Sequence, residues 1–194
     1  IRKSSLVPDP DLADFMQTHF GTAPALPDPV QAQPVERVDP STRRVMIVTT
    51  MKNEGPFILE WLAYHRAIGV TDFLIYTNDC TDGTDTLLDH LQAHGLVEHR
   101  DNPFRSTDLK PQHAALQDAE TSEMAARADW IVCMDVDEFI HIHTGDGTLD
   151  ALFDAVPDAT LISMTWRLFG NHHVAEYQDR PIMEQFLRCA PEFI

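Results

Sequence analysis

One stretch constrains this chain more than any other. Residues 130–140 read Trp-Ile-Val-Cys-Met-Asp-Val-Asp-Glu-Phe-Ile. The apolar run Ile131, Val132, Cys133 and Met134 has the pattern of a strand buried on both faces, as in a parallel sheet. Where such a strand should leave the core, the chain places Asp135, Asp137 and Glu138. Carboxylates at the edge of an apolar layer are costly unless something neutralises them. Residues two apart on extended chain point the same way, so Asp135 and Asp137 are expected to converge on one position. A divalent cation is the natural occupant, since Mg²⁺ is held by one or two carboxylates plus substrate phosphates rather than by a full protein cage. The plainer reading is a solvated acidic turn, because a lone Asp-x-Asp is a weak motif.

The surrounding chain supplies a context for that strand. Residues 1–40 hold seven of the thirteen prolines, which remove backbone donors and restrict their neighbours. Residues 1–42 therefore read as a linker or arm, with one short helix expected over 11–20. From Arg43 the texture changes. Residues 45–50 predict a first strand, 55–68 a helix ending at Gly69, 72–76 a second strand, 85–94 a helix stopped by Gly95, and 96–99 a short third strand. A long Ala-rich helix is expected from Pro111 through Ala126, then the strand 130–134, a helix near 148–155 and an apolar strand over 160–169. Strands alternating with helices predict an α/β fold with a parallel, helix-covered sheet.

Three polar loops then fall at the carboxyl ends of strands, where open α/β sheets bind ligands: 50–54, 78–84 and 135–138. Asp79 beside Asn78 suits the hydroxyls of a ribose or the edge of a base, since a carboxylate accepts paired hydrogen bonds. Asp82 and Thr84 are better read as helix caps. His141 and His143 share a face if the chain stays extended past Phe139, and with Asp137 they offer a second metal arrangement; a solvated pair is the simpler reading. Cys80 has no His or second Cys nearby in sequence and is not read as a nucleophile.

The ordered set Thr49-Thr50-Met51-Lys52-Asn53-Glu54, Asn78-Asp79-Cys80-Thr81-Asp82-Gly83-Thr84 and Asp135-Val136-Asp137-Glu138-Phe139 resembles the GT-A glycosyltransferases, in particular the family 2-like group and the related family 92 proteins that share an Asp-x-Asp-Glu-Phe ending. The resemblance covers about residues 43–170. It implies a nucleotide-diphospho-sugar transferase-like domain over 43–194, a mostly parallel sheet flanked by helices, with its C-terminal acceptor half incomplete. By this resemblance Thr50, Asn53 and Glu54 line the nucleotide pocket and Asp79 holds base and ribose. Asp137 contacts Mn²⁺ or Mg²⁺, Asp135 contacts metal, sugar or ribose, and Lys110 or Gln112 lies near diphosphate or sugar. Two positions depart from the pattern: Asn78 stands for the first of two paired acids, and Cys80 for a frequent glycine. The implied activity is transfer of a sugar from a UDP- or GDP-linked donor to a hydroxyl of a glycan or other acceptor, with inversion. The general base is not located, Glu176 and Glu184 being candidates by position alone, and the segment from Trp166 to His173 is expected to shape sugar binding. The alternative is a non-catalytic nucleotide-binding module of a larger protein. A phosphohydrolase is disfavoured because the first strand carries no nucleophilic Asp.

Charge and cysteine content narrow the partners. A net charge of −17, from 14 basic and 31 acidic residues, disfavours nucleic acid and anionic membrane surfaces. An anionic donor must then be drawn in by a local positive feature. Three scattered cysteines form neither a zinc spacing nor a disulfide framework, so a reducing compartment is expected: the cytoplasm, including a peripheral position at the inner membrane face. The opening residues do not read as a signal peptide, and no apolar run approaches the about 18 residues of a membrane span.

Overall fold

The seven residues of β1 (Val45–Met51, Val-Met-Ile-Val-Thr-Thr-Met) are almost all buried, and this strand is the axis of the domain. The computed structural model describes residues 43–171 and 173–190. The expected arm over 1–42, its helix over 11–20, and His172 lie outside the described residues. Parallel pairing joins β1 to β2 (Asp72–Thr77) on one edge, in a register that sets Met46 against Asp72 and Met51 against Thr77. On the other edge β1 pairs in parallel with β4 (Trp130–Cys133), Val45 against Trp130 and Val48 against Cys133. A short β3 (Glu98–Asp101) pairs in parallel with β2, giving the order β3-β2-β1-β4. Every strand runs the same way, so all carboxyl-end loops share one edge of the sheet. This is the α/β architecture that the alternation of elements predicted.

Helices cover both faces. On one face α1 (Ile58–Ala67), α2 (Thr84–Ala93) and α5 (Leu149–Ala155) bury Trp61, Leu88 and Phe153 against Ile47, Phe73 and Ile75. On the other, α3 (Pro111–Glu120) lays Ala115 and Ala119 on Met46, Val48, Leu74 and Tyr76. Small alanines let that helix lie close to the sheet. The Tyr76 hydroxyl crosses this layer to donate to Asp118 (2.7 Å), which also accepts from Arg100 of β3 (2.7 Å). No helix among the described residues is long and apolar enough to cross a membrane.

Three expectations are corrected. The Ala-rich helix is not continuous: it breaks after Glu120, and α4 (Glu123–Arg127) starts anew. Ser122 causes the break, because its hydroxyl accepts from Ala125 N (3.0 Å) as a helix cap. β4 is not buried on both faces. Trp130 stacks on Phe153 at 4.6 Å, but Ile131 is 52% exposed, because the α3 layer ends over β1 and β2. Residues 160–169 form no strand. Only Phe169 makes a bridge, to Cys189 (antiparallel), and Leu161, Met164, Trp166 and Leu168 are all exposed. The alternation of apolar residues was present, but among the described residues no partner strand covers it.

After β4 the chain returns to α1, where three side chains take hold of it. Trp61 Nε1 donates to Glu138 O (3.0 Å), Tyr64 Oη donates to Ile140 O (2.7 Å), and Ile140 N donates to His65 Nε2 (3.3 Å). His65 Nδ1 lies 2.8 Å from Trp61 O, so the neutral ring donates there and accepts from Ile140. Burial lowers its pKa from 6.5 to about 4 against a smaller opposing effect of the Trp61 carbonyl.

Two measurements check this packing. Trp61, fully buried, should cost about 3–5 kcal/mol of unfolding free energy when changed to Ala. Leu161→Ala, at a side chain 84% exposed, should change it by less than about 0.5 kcal/mol, both read by urea denaturation. In the unfolded chain His65 takes up a proton near pH 6.5, and in the folded chain only near pH 4. The unfolded state therefore binds more protons between those values, and stability falls as pH drops through that window, by about 3 kcal/mol in total. A urea series across pH 4–7 should show this slope and lose most of it in His65→Gln.

Candidate donor-binding edge

The loops after β1 and β2 are stitched together by side chains. Thr84 Oγ1 accepts from Glu54 N and Gly55 N (2.9 Å each) and donates to Asp82 Oδ1 (2.7 Å). Asp82 also accepts from Thr84 N (2.9 Å) and from Gly55 N (3.3 Å). Asp82 thus bonds the first N–H of α2, as read from sequence, whereas Thr84 makes no side-chain cap of that helix; its hydroxyl binds the first loop to the second. Asn53 Oδ1 accepts from Thr81 N (2.7 Å), so the oxygen of this expected pocket residue is engaged in holding the loops together. Asn53 (φ 61°) and Asp79 (φ 53°) both adopt left-handed backbone, which short polar side chains tolerate better than most.

Asp79 is exposed and faces positive charge. Arg105 pairs with its carboxylate, Lys52 Nζ lies 3.9 Å away, and Asn78 Nδ2 donates at 3.5 Å. The Arg105 guanidinium holds the Asp79 carboxyl below the usual aspartate range. Arg105 sits in the 3-10 turn Pro103–Ser106 that follows β3, its guanidinium over the Phe104 ring at 4.9 Å. Asn102 fixes that turn, accepting from Phe104 N (3.1 Å) and donating to Pro111 O (3.0 Å). Sequence reasoning passed over Arg105. The only signal was its position in the polar loop after β3, and the sheet order was needed to set that loop beside Asp79.

The loop after β4 carries the acidic pair. Met134 and Val136 are buried, whereas Asp135 and Asp137 are exposed, in a turn that follows the end of β4 at Cys133. Glu138 turns back: its Oε2 accepts from Asp135 N (3.0 Å) and its own N–H donates to Asp135 O (3.2 Å). Burial, reinforced by the negative charges of Asp137, Asp82 and Asp135, pushes the Glu54 carboxyl above its ordinary value. The first and third loops therefore face each other. Thr50 and Gln112 share a shallow recess with Cys133 and Met134 at the root of the third loop. Lys110 occupies the cap position before α3 and is exposed; it makes no ion pair among the described residues.

The other sequence candidates fall outside this edge. His141 and His143 point outward, ring centroids 4.3 Å apart. Glu184 pairs with Arg180 at 3.7 Å, and Glu176 is exposed. Neither glutamate bonds to the three loops among the described residues.

The donor set suits a hard cation. Among the described residues neither Asp135 nor Asp137 has a Lys or Arg partner or a hydrogen bond on its carboxylate, in contrast to Asp79. No three His, Cys, Asp or Glu side chains among the described residues come together as a metal cage. Two free carboxylates with the remaining positions left to ligand and water oxygens is the arrangement that Mg²⁺ and Mn²⁺ accept.

Comparison with known proteins identifies the family. The model of glycosyltransferase family 92 matches residues 45–189. A glycosyltransferase family 92 protein of Oryza sativa subsp. japonica is 29% identical over 130 residues, 64% of this chain and 21% of that protein. One of Ricinus communis is 34% identical over 110 residues, 55% of this chain and 18% of that protein. One of Arabidopsis thaliana is 28% identical over 164 residues, 77% of this chain and 26% of that protein. The matches thus span only about a fifth to a quarter of these relatives' length. No solved structure matches the chain. The family match begins at the first residue of β1 and ends at the bridge residue Cys189, taking in all three loops of the edge, and the chain belongs to glycosyltransferase family 92.

Proposed function

We propose that this chain is the donor-binding part of a glycosyltransferase that moves a sugar from a nucleoside-diphosphate sugar, UDP- or GDP-linked, to a hydroxyl of a glycan or other acceptor. The observation that carries the reading is the pair Asp135 and Asp137, left without a cationic partner among the described residues at a sheet edge where Asp79 is fully served by Arg105 and Lys52. In this reading Asp135 and Asp137 hold Mn²⁺ or Mg²⁺. When bound, such an ion supplies a Lewis acid for the charge that develops on the departing diphosphate.

The remaining work falls to side chains of this chain. Asp79, kept ionised by Arg105, accepts from base or ribose, and Arg105 and Lys52 keep the subsite from repelling an anionic donor. Glu54, in the field of Asp135 and Asp137, accepts donor hydroxyls, while Thr50, Gln112 and Lys110 line the approach to diphosphate and sugar. Asn53 contributes by fixing the loop, since its side-chain oxygen is held by Thr81 N. The acceptor's proton must be taken by a general base, a role that this reading gives to none of the residues named here.

Calorimetry with UDP and GDP, with and without Mn²⁺, tests the reading. One of the two should bind more tightly with the ion present. Asp137→Asn should remove about tenfold or more of that metal-dependent gain while leaving the melting temperature nearly unchanged; a collapsed fold would instead make the residue structural. Transfer or hydrolysis of the cognate donor would identify an enzyme, and metal-enhanced binding without turnover a binding module. Arg105→Ala should raise the Asp79 pKa toward the ordinary aspartate value, seen by carboxyl-carbon NMR titration, and weaken nucleotide binding even without metal.

A further inference from the structure

We propose that Trp61, Tyr64 and His65 form a clamp on α1 that positions the Asp135–Asp137 pair for its cation. The inference rests on the reading of those aspartates as cation ligands and extends it to residues that touch neither ion nor donor. Spaced i, i+3 and i+4, the three side chains lie on one face of the helix. Each bonds a different backbone group of the segment just after the acidic pair: Trp61 the Glu138 carbonyl (3.0 Å), Tyr64 the Ile140 carbonyl (2.7 Å) and His65 the Ile140 N–H (3.3 Å). Phe139 is held between them by its ring, 5.3 Å from Tyr64 edge-on and 5.8 Å from His65 in a stacked arrangement.

The chain is therefore tied on both sides of the aspartates. Upstream, β4 is paired to β1 through Cys133. Downstream, α1 grips 138–140. Between these ties residues 134–137 have no strand or helix bonding; they are shaped by the turn closed by Glu138 and by the burial of Met134 and Val136 in the core. Two like charges brought to one cation repel each other until it arrives, and flexible backbone would let them part. A backbone held on both sides removes that freedom before the ion binds. Groups that orient metal ligands without touching the metal typically contribute about 10–100-fold to affinity.

Tyr64→Phe removes one hydroxyl and keeps the ring packing. Tyr76→Phe is the control: it removes a buried hydroxyl that donates to Asp118 from the opposite face of the sheet. In the full 194-residue chain, Mn²⁺ affinity in the presence of UDP and of GDP is measured by the paramagnetic resonance of the free ion. Amide exchange over 138–140 is followed in the metal-free protein. Tyr64→Phe should weaken Mn²⁺ binding about tenfold and speed exchange over 138–140, with exchange in β1 and β2 unchanged. Tyr76→Phe should lower the melting temperature and leave Mn²⁺ affinity as in the wild type. Wild-type Mn²⁺ affinity in Tyr64→Phe, or an equal loss in Tyr76→Phe, would overturn the clamp and leave the donor reading standing. A wild-type chain that binds no Mn²⁺ with either nucleotide would overturn both.

Discussion

Strand β1 is hydrogen-bonded along both edges and buried on both faces, and the rest of the domain depends on that double confinement. Backbone groups buried away from water must pair, and β1 satisfies its own through β2 on one side and β4 on the other. Because both pairings are parallel, the chain must leave all three strands at the same edge of the sheet. Three segments far apart in sequence, around Glu54, Asp79 and Asp135, thereby become neighbours. Any chemistry at this edge follows from the sheet, since no one loop holds enough functional groups by itself.

Within the edge, charge is divided unequally. Asp79 has Arg105 and Lys52 beside it, whereas Asp135 and Asp137 lie near Glu54, whose carboxyl their negative charges help to raise above its ordinary value. A chain of net charge −17 thus concentrates repulsion at one point and relieves it at the next. In the proposed donor site, an anionic nucleotide would meet a compensated carboxylate at Asp79 and, at Asp135 and Asp137, a pair whose repulsion a divalent ion would relieve. That division gives the donor reading its physical basis and gives the backbone grip of α1 something to hold in place.

Much of this was legible from residue order. The β-branched run of β1, the bond of Asp82 to the start of α2, and the alternation that turns Val136 in and Asp135 and Asp137 out are local effects, decided by side chains within a few positions of one another. Misreadings came where the deciding atom was elsewhere or a local signal was outweighed. Ser122 breaks the Ala-rich helix because its hydroxyl finds Ala125 N, a small local preference that helix propensity masked. Ile131 and residues 160–169 are apolar enough for a buried strand, yet burial needs a partner layer, and among the described residues none covers them. Arg105 became visible only once β3 was placed next to β2.

Sequence alone determined the α/β class, the three polar loops and their acids, because periodicity and turn chemistry act over short distances along the chain. Tertiary structure alone decided that Arg105 answers Asp79, that Glu54 lies in the field of Asp135 and Asp137, and that α1 holds the backbone beyond them. Those relations join residues about 25 to 80 positions apart, whose distances are set by strand pairing and helix packing. Electrostatic and hydrogen-bond energies depend on separation in space, a quantity that residue order does not contain.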